Sequence, residues 1–239
     1  MIFAAGLGTR LRPLTDNMPK ALVSVAGKTM LERVILKLKD AGFHDITINI
    51  HHFIDFLRAN QNFGVDIHIS DERGELLDTG GGIKKARPLL ESNEPFLIHN
   101  ADILTDLDLN AFYHHHLESD ADATLLTNHR KTSRYLLMNQ DNRLCGWTNI
   151  STGEVLPKEL DYPSDHYQLQ AFGCVHVLSP SIFRYMEDER WTGKFSIIPF
   201  YVDICPKARI QGFPIDSENW FDVGKPETLA KAEAYYASL

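Results

Sequence analysis

The chain has 239 residues, 44% hydrophobic and 23% charged, which is ordinary globular material with enough length to bury a sizeable core. A formal net charge of −8 argues against nucleic acid or an anionic membrane as a partner, since both would repel the chain. The three cysteines, Cys145, Cys174 and Cys205, are widely spaced without a C-x-x-C pair and read as free thiols in a reducing compartment. No signal peptide or long apolar run is visible, so a soluble cytoplasmic protein is expected.

In chain order, an apolar start over residues 1–5 reads as a short strand feeding two glycines, Gly6 and Gly8, and then Arg10, Arg12 and Lys20. Thr29 is placed to cap a helix whose apolar positions Met30, Leu31, Val34, Ile35 and Leu38 recur at helical spacing until Gly42. Residues 45–50 read as a strand, 54–59 as a short helix and 65–69 as a second strand. A polar loop over 71–79 is expected to open into Gly80-Gly81-Gly82 and a helix over about 83–90. The apolar run 96–99 then forms a strand delivering Asn100-Ala101-Asp102. This alternation predicts an α/β protein with a mainly parallel sheet covered on both faces. Ligands of such sheets bind beyond the carboxyl ends of the strands.

The second half changes character. Residues 109–117 read as helix, 123–127 as strand, 135–147 as a hairpin turning at Asp141-Asn142, and 168–178 as one long strand containing Gly173. Helix is expected from Pro180 to about Glu187, an apolar segment interrupted by Pro199 over 197–204, a late strand over 208–213, and a final helix from Pro226. No linker or repeat divides the chain, so one domain over 1–239 is expected. His114-His115-His116 point three ways on a helix and make no metal face, and His51-His52 read as structural.

Glycines one residue apart followed by cations suit phosphate: the backbone approaches closely, its amides form an anion nest, and the side chains meet the remaining charge. Two familiar templates fail. The dinucleotide fingerprint requires a glycine where Leu11 stands, and the Walker A pattern ending at Gly27-Lys28-Thr29 requires one at Leu22.

The run Gly6-Leu7-Gly8-Thr9-Arg10-Leu11-Arg12-Pro13-Leu14-Thr15, closing with Pro19-Lys20, resembles the signature of the sugar-1-phosphate nucleotidyltransferases. The segment Leu77-Asp78-Thr79-Gly80-Gly81-Gly82 is similar to the Glu-Thr-Gly-Gly-Gly of N-acetylmuramate-1-phosphate uridylyltransferases, with Asp78 in place of Glu. The resemblance implies a Rossmann-like three-layer α/β/α fold of the glycosyltransferase-A type, with residues 1–108 as a nucleotide-binding half and 109–239 as a sugar-binding half. It implies a magnesium-dependent enzyme joining a nucleoside triphosphate to a sugar 1-phosphate. UTP with N-acetylmuramate 1-phosphate leads, while mannose-1-phosphate guanylyltransferase and glucose-1-phosphate thymidylyl- or uridylyltransferase remain open. A nucleotide-sensing subunit without catalysis is the alternative from another class.

By the same resemblance, Arg10 and Lys20 are the catalytic cations, on the β and γ phosphates and on the α phosphate respectively. Ala5, Gly6, Gly8, Thr9 and Arg10 are expected to line the nucleotide with Thr79, Gly80, Gly81 and Asn100, whose helix-start amides would be free to donate to it. Asp102, after a buried strand, and Asp222, in Trp220-Phe221-Asp222-Val223-Gly224, would hold the magnesium; this cation often takes only one or two protein carboxylates. Gly173, Glu154 and Trp147 are assigned to the sugar. Relatives usually carry glycine where this chain has Ala101.

Overall fold

The computed structural model describes all of residues 1–239 except Leu7, His51, His52 and Glu218, so the reading of His51-His52 falls outside the described residues. In chain order the elements are β1 (Ile2–Phe3), β2 (Ser24–Val25), β3 (Lys28–Thr29), α1 (Met30–Asp40), β4 (Asp45–Ile50), α2 (Ile54–Ala59), β5 (Asp66–Asp71), α3 (Asp78–Leu90), β6 (Phe96–Asn100) and β7 (Ile103–Thr105). There follow α4 (Leu109–Leu117), β8 (Ala123–Asn128), β9 (Arg134–Met138), β10 (Leu144–Asn149), β11 (Glu154–Leu156), β12 (Gln168–Leu178), α5 (Ile182–Tyr185), α6 (Ile197–Ile204), β13 (Ile210–Ile215), β14 (Trp220–Asp222) and α7 (Pro226–Ala237).

The main sheet runs β11-β10-β9-β12-β6-β1-β4-β5, with β8 pairing β12 and β13. The strands β6, β1, β4 and β5 are mutually parallel, as the βα alternation of the first half predicts. The second half adds antiparallel pairing: β12 runs against β6, β8 and β9, and β10 continues outward from β9 to β11. The long strand β12 changes partners along its length. Residues 168–170 pair with β9 and residues 175–178 with β6. Between these stretches the register to β8 shifts, and Cys174 takes φ +58°, so the strand bulges where Gly173 stands.

Helices cover both faces. Successive strand residues point to opposite sides of a sheet, and Leu97 and Ile98 of β6 accordingly enter different cores. One core holds Met30, Leu31, Val34 and Ile35 of α1, Leu57 of α2, Phe112 of α4 and Leu229 of α7. The other holds Ile83 and Ala86 of α3, Phe183 of α5 and Phe200 of α6. Helix α1 starts where the sequence places it, with the Thr29 hydroxyl accepting from Glu32 N. Pro199 lies in the first turn of α6, where an absent N–H removes no helical bond.

The start of one helix differs from the sequence expectation. Helix α3 begins at Asp78 and not near Ile83, so all three glycines lie inside it and are buried. The reason is steric: a Cβ on Gly80 would stand 2.3 Å from the Phe195 ring, and one on Gly81 2.2 Å from the Gly193 carbonyl oxygen. The helix start is bare so that residues 193–195 can lie against it. Asp78 itself has φ +60°, a region that Asp tolerates better than most side chains.

Candidate active site

Strand β1 sits between β6 and β4, with Phe3 beside Asn100 and Asn49. The chain leaving it is pinned on both sides: Ala4 N donates to Asn49 Oδ1 at 2.7 Å, and Ala101 N donates to the Phe3 carbonyl at 2.9 Å. Asn49 Nδ2 donates in turn to Glu72 Oε1 at 2.9 Å, and Leu77 N donates to Glu72 Oε2 at 3.3 Å. The first loop and the approach to α3 thus share one buried polar network, with Asn49 3% and Glu72 1% exposed. Hydrogen-bonded partners are what allow such groups to be buried.

Beyond the carboxyl ends of β1, β4 and β6 lies a cavity of about 320 Å³. Of the residues singled out from the sequence, Ala5, Gly6, Lys20, Thr79, Asn100 and Asp102 line it. Among the described residues outside its chain neighbours, a Cβ on Gly6 would meet no atom within 4 Å, so the space there is open to whatever enters the cavity. Gly8, by contrast, is needed by the fold. It adopts φ +65°, and a Cβ there would stand 2.7 Å from Cβ of Lys20. The missing side chain lets the Lys20 stem pass beneath the loop.

Lys20 is 8% exposed and donates from Nζ to Asp102 Oδ2. It opens a short helical turn over Lys20–Leu22, entered through Pro19. Asp222 reaches the same place by a different route. Strand β14 runs antiparallel to β7 with Asp222 opposite Ile103, and Val223 N donates to the Asp102 carbonyl at 2.9 Å. The next residue, Gly224, is where a Cβ would stand 2.8 Å from a terminal nitrogen of Arg10 and 2.9 Å from Asp222 Oδ1. Lys20, Asp102, Asp222 and Arg10 therefore converge from four separate segments.

Behind these groups sits Cys174, whose thiol burial pushes up to about 12, with Asp102 and Asp222 adding to the effect and Arg130 and Lys20 opposing it. At that value it is a neutral packing thiol and not a nucleophile at neutral pH. Arg130 lies flat over the Trp220 ring at 4.2 Å and donates to Asn128 Oδ1 and the Phe172 carbonyl. Burial lowers the pKa of this guanidinium. Trp220 Nε1 donates to the Gly173 carbonyl at 3.0 Å, tying the bulge of β12 to β14.

Among the described residues, no group of three or more His, Cys, Asp or Glu side chains converges as a metal cage. A pair of carboxylates on adjoining β7 and β14 ends is a donor set suited to a hard cation that takes its remaining ligands from phosphates and water.

The other sequence-predicted residues lie outside the cavity wall. Gly80 and Gly81 are buried in α3, and their N–H groups donate to the Phe195 carbonyl at 2.9 and 3.1 Å, so these amides are not free for a ligand as expected. Gly8, Thr9, Arg10 and Asp222 are not among the residues that line the cavity. Trp147 is half-buried against the core that contains α3 and α6, Glu154 is exposed on β11, and Gly173 is buried against Leu126. Sequence reasoning passed over three polar cavity residues: Asn49, Glu72 and Lys194. A polar Asn at the end of the apolar strand 45–50 was the one available signal for the first.

The sequence profile of the nucleotidyl transferase family matches residues 1–238. An N-acetylmuramate alpha-1-phosphate uridylyltransferase of Caulobacter vibrioides is 32% identical over 246 aligned positions, covering 99% of this chain and 96% of that protein. One from Neisseria meningitidis serogroup B is 46% identical over 118 positions, 47% of this chain and 50% of that protein. The chain spans 64% of a mannose-1-phosphate guanyltransferase from Saccharomyces cerevisiae at 25% identity. In three dimensions it resembles HddC from Yersinia pseudotuberculosis with a TM-score of 0.75 at 25% identity, covering 98% of this chain and 97% of that one. A UDP-glucose pyrophosphorylase from Acinetobacter baumanii, 15% identical with a TM-score of 0.74 over 98% of this chain and 91% of that one, has the same fold. With a profile match along essentially its whole length and a full-length relative at 32% identity, the chain belongs to the nucleotidyl transferase family.

Proposed function

We propose that this chain is a sugar-1-phosphate uridylyltransferase that joins UTP to N-acetylmuramate 1-phosphate and releases pyrophosphate. The kinship supports sugar-1-phosphate nucleotidyl transfer in general. The choice of UTP and N-acetylmuramate rests on the two uridylyltransferases of Neisseria and Caulobacter. The single observation that carries the reading is the space left at Gly6 beside the Lys20–Asp102 pair, at the carboxyl end of β1.

A phosphate oxygen of the sugar 1-phosphate attacks the α phosphorus, and the bond to the β-phosphate oxygen breaks as pyrophosphate leaves. That nucleophile is already ionised, so no general base is required. Positioning and charge do the work in such transfers. Lys20, a compact donor, meets the α phosphate, and Arg10, with its planar fork, meets the departing β and γ oxygens. Asp102 and Asp222 would hold a magnesium ion, which supplies positive charge to the phosphates. Ala5, Gly6, Thr79 and Asn100 enclose the nucleoside, and the sugar is assigned to the β10–β12 side, where Glu154 is exposed.

Pyrophosphate release with magnesium across UTP, dTTP, GTP, CTP and ATP, each paired with N-acetylmuramate, N-acetylglucosamine, glucose and mannose 1-phosphates, tests this. The highest kcat/KM is expected for UTP with N-acetylmuramate 1-phosphate. A maximum for GTP with mannose 1-phosphate, or for dTTP or UTP with glucose 1-phosphate, refutes the substrate assignment.

A further inference from the structure

Lys194 lines the cavity from the segment between α5 and α6. It is exposed, and among the described residues it has no ion-pair or hydrogen-bond partner, so its charge is left to whatever fills the cavity. Its segment is nevertheless fixed. Gly80 N and Gly81 N donate to the Phe195 carbonyl, Phe195 N donates to the Leu77 carbonyl at 3.1 Å, and Ile197 N donates to Thr79 Oγ1 at 3.0 Å. Further back, Lys84 Nζ donates to the carbonyls of Met186 and Trp191 at 2.6 and 2.8 Å. The glycines of α3 are thus the condition for this strap to lie where it does, and the strap brings one unpaired ammonium to the cavity.

We propose that Lys194 is a nucleobase-contacting residue whose ammonium donates to the carbonyl oxygen that stands where cytosine and adenine carry an amino group: O4 of uracil or thymine, O6 of guanine. The inference rests on the nucleotidyl transfer reading, which puts the phosphates at Lys20 and Asp102. The part of the cavity lined by Asp78 and Thr79, against which the strap carrying Lys194 is bonded, is then left for the base. An ammonium has three donors and no acceptor. At that position it favours the carbonyl of uracil, thymine and guanine over the amino group of cytosine and adenine. Lys194 would therefore set base selectivity, a role separate from that of Lys20 on the phosphate.

Equilibrium binding of UTP and CTP to the wild-type chain and to Lys194→Met, followed by titration calorimetry, tests this without reliance on turnover. Lys194→Met is expected to weaken UTP at least about tenfold and CTP less than about twofold, as for one lost charge-assisted hydrogen bond. Lys194→Arg, also donor-only, should restore most of the UTP affinity, and in steady state KM for the sugar phosphate should not move. Unchanged UTP affinity overturns the proposal. So does an equal loss for UTP and CTP, which would place Lys194 on the phosphates. Selective loss of UTP binding in a chain that releases no pyrophosphate would uphold Lys194 and refute the catalytic reading, whereas full turnover with unaltered binding in Lys194→Met would do the reverse.

Discussion

Lys20 and Asp102, 82 residues apart in the chain, form an ion pair at the mouth of the cavity where β1 and β6 end. The pair joins the first loop to the strand end expected to hold metal, so each residue can be removed to separate roles. Asp102→Asn should reduce turnover at least about a hundredfold while leaving the thermal midpoint within a few degrees of wild type, because Asn still accepts a hydrogen bond from Lys20. Lys20→Arg should not match wild-type activity, since a planar fork presents its donors differently from the compact ammonium that meets Asp102. Near-normal kcat in Asp102→Asn would remove that residue from the mechanism.

The glycines separate into two kinds with opposite expected phenotypes. Gly81→Ala forces a methyl onto the Gly193 carbonyl and should cost about 2 kcal/mol or more in urea unfolding. Gly6→Ala meets no atom of the described residues outside its chain neighbours and should leave the urea midpoint nearly unchanged while raising KM for the nucleotide about tenfold or more. A Gly6→Ala chain with normal KM would mean that the space beside Gly6 is not used by the substrate.

Stability should depend on pH through three buried histidines. Burial lowers His99 to about 4, His116 to about 4 and His176 to about 3, from an ordinary value of 6.5. All three are neutral in the fold: His99 bonds the Asn100 carbonyl, His116 lies between Thr124 and Ser179, and His176 bonds the Tyr201 hydroxyl. Below about pH 6.5 the unfolded chain takes up protons that the folded chain refuses, so their contribution is complete above pH 6.5 and is lost as pH falls toward 4. The slope should reach about 1.4 kcal/mol per pH unit for each histidine. Urea midpoints measured from pH 7 to 5 should fall steadily, and His116→Gln should show a shallower fall. A flat profile over that range contradicts this account.

Trp220 couples the bulge of β12 to the strand that carries Asp222. Trp220→Phe removes the bond to the Gly173 carbonyl and weakens the stacking of Arg130. The expected loss is about 1–2 kcal/mol of stability, with a fall in kcat larger than any change in nucleotide KM. Equal effects on both would mean that Trp220 acts on the whole fold and not on the position of Asp222.

The parallel half of the fold was legible because its signals are local. Residues 45–50, 54–59 and 30–40 carry period and capping cues that need no knowledge of the rest of the chain. The ribbon of β7 and β14 was not legible. It consists of two three-residue strands far apart in sequence, too short for any alternation to register, yet it brings Asp102 and Asp222 together. Only resemblance marked those two aspartates. The glycines of α3 read locally as an open turn, since the need for them lies in Phe195 and Gly193, over a hundred residues onward. Lys194 carried no signal, because an exposed lysine in a loop is ordinary until the fold sets it beside a cavity.

The most direct test of the central claim is pyrophosphate release by the wild-type chain with UTP and magnesium, with and without N-acetylmuramate 1-phosphate. The account predicts release that depends on the sugar phosphate and is stoichiometric with a UDP-sugar product, and that is abolished in Asp102→Asn. UTP binding without sugar-dependent release, by a folded chain, would contradict it.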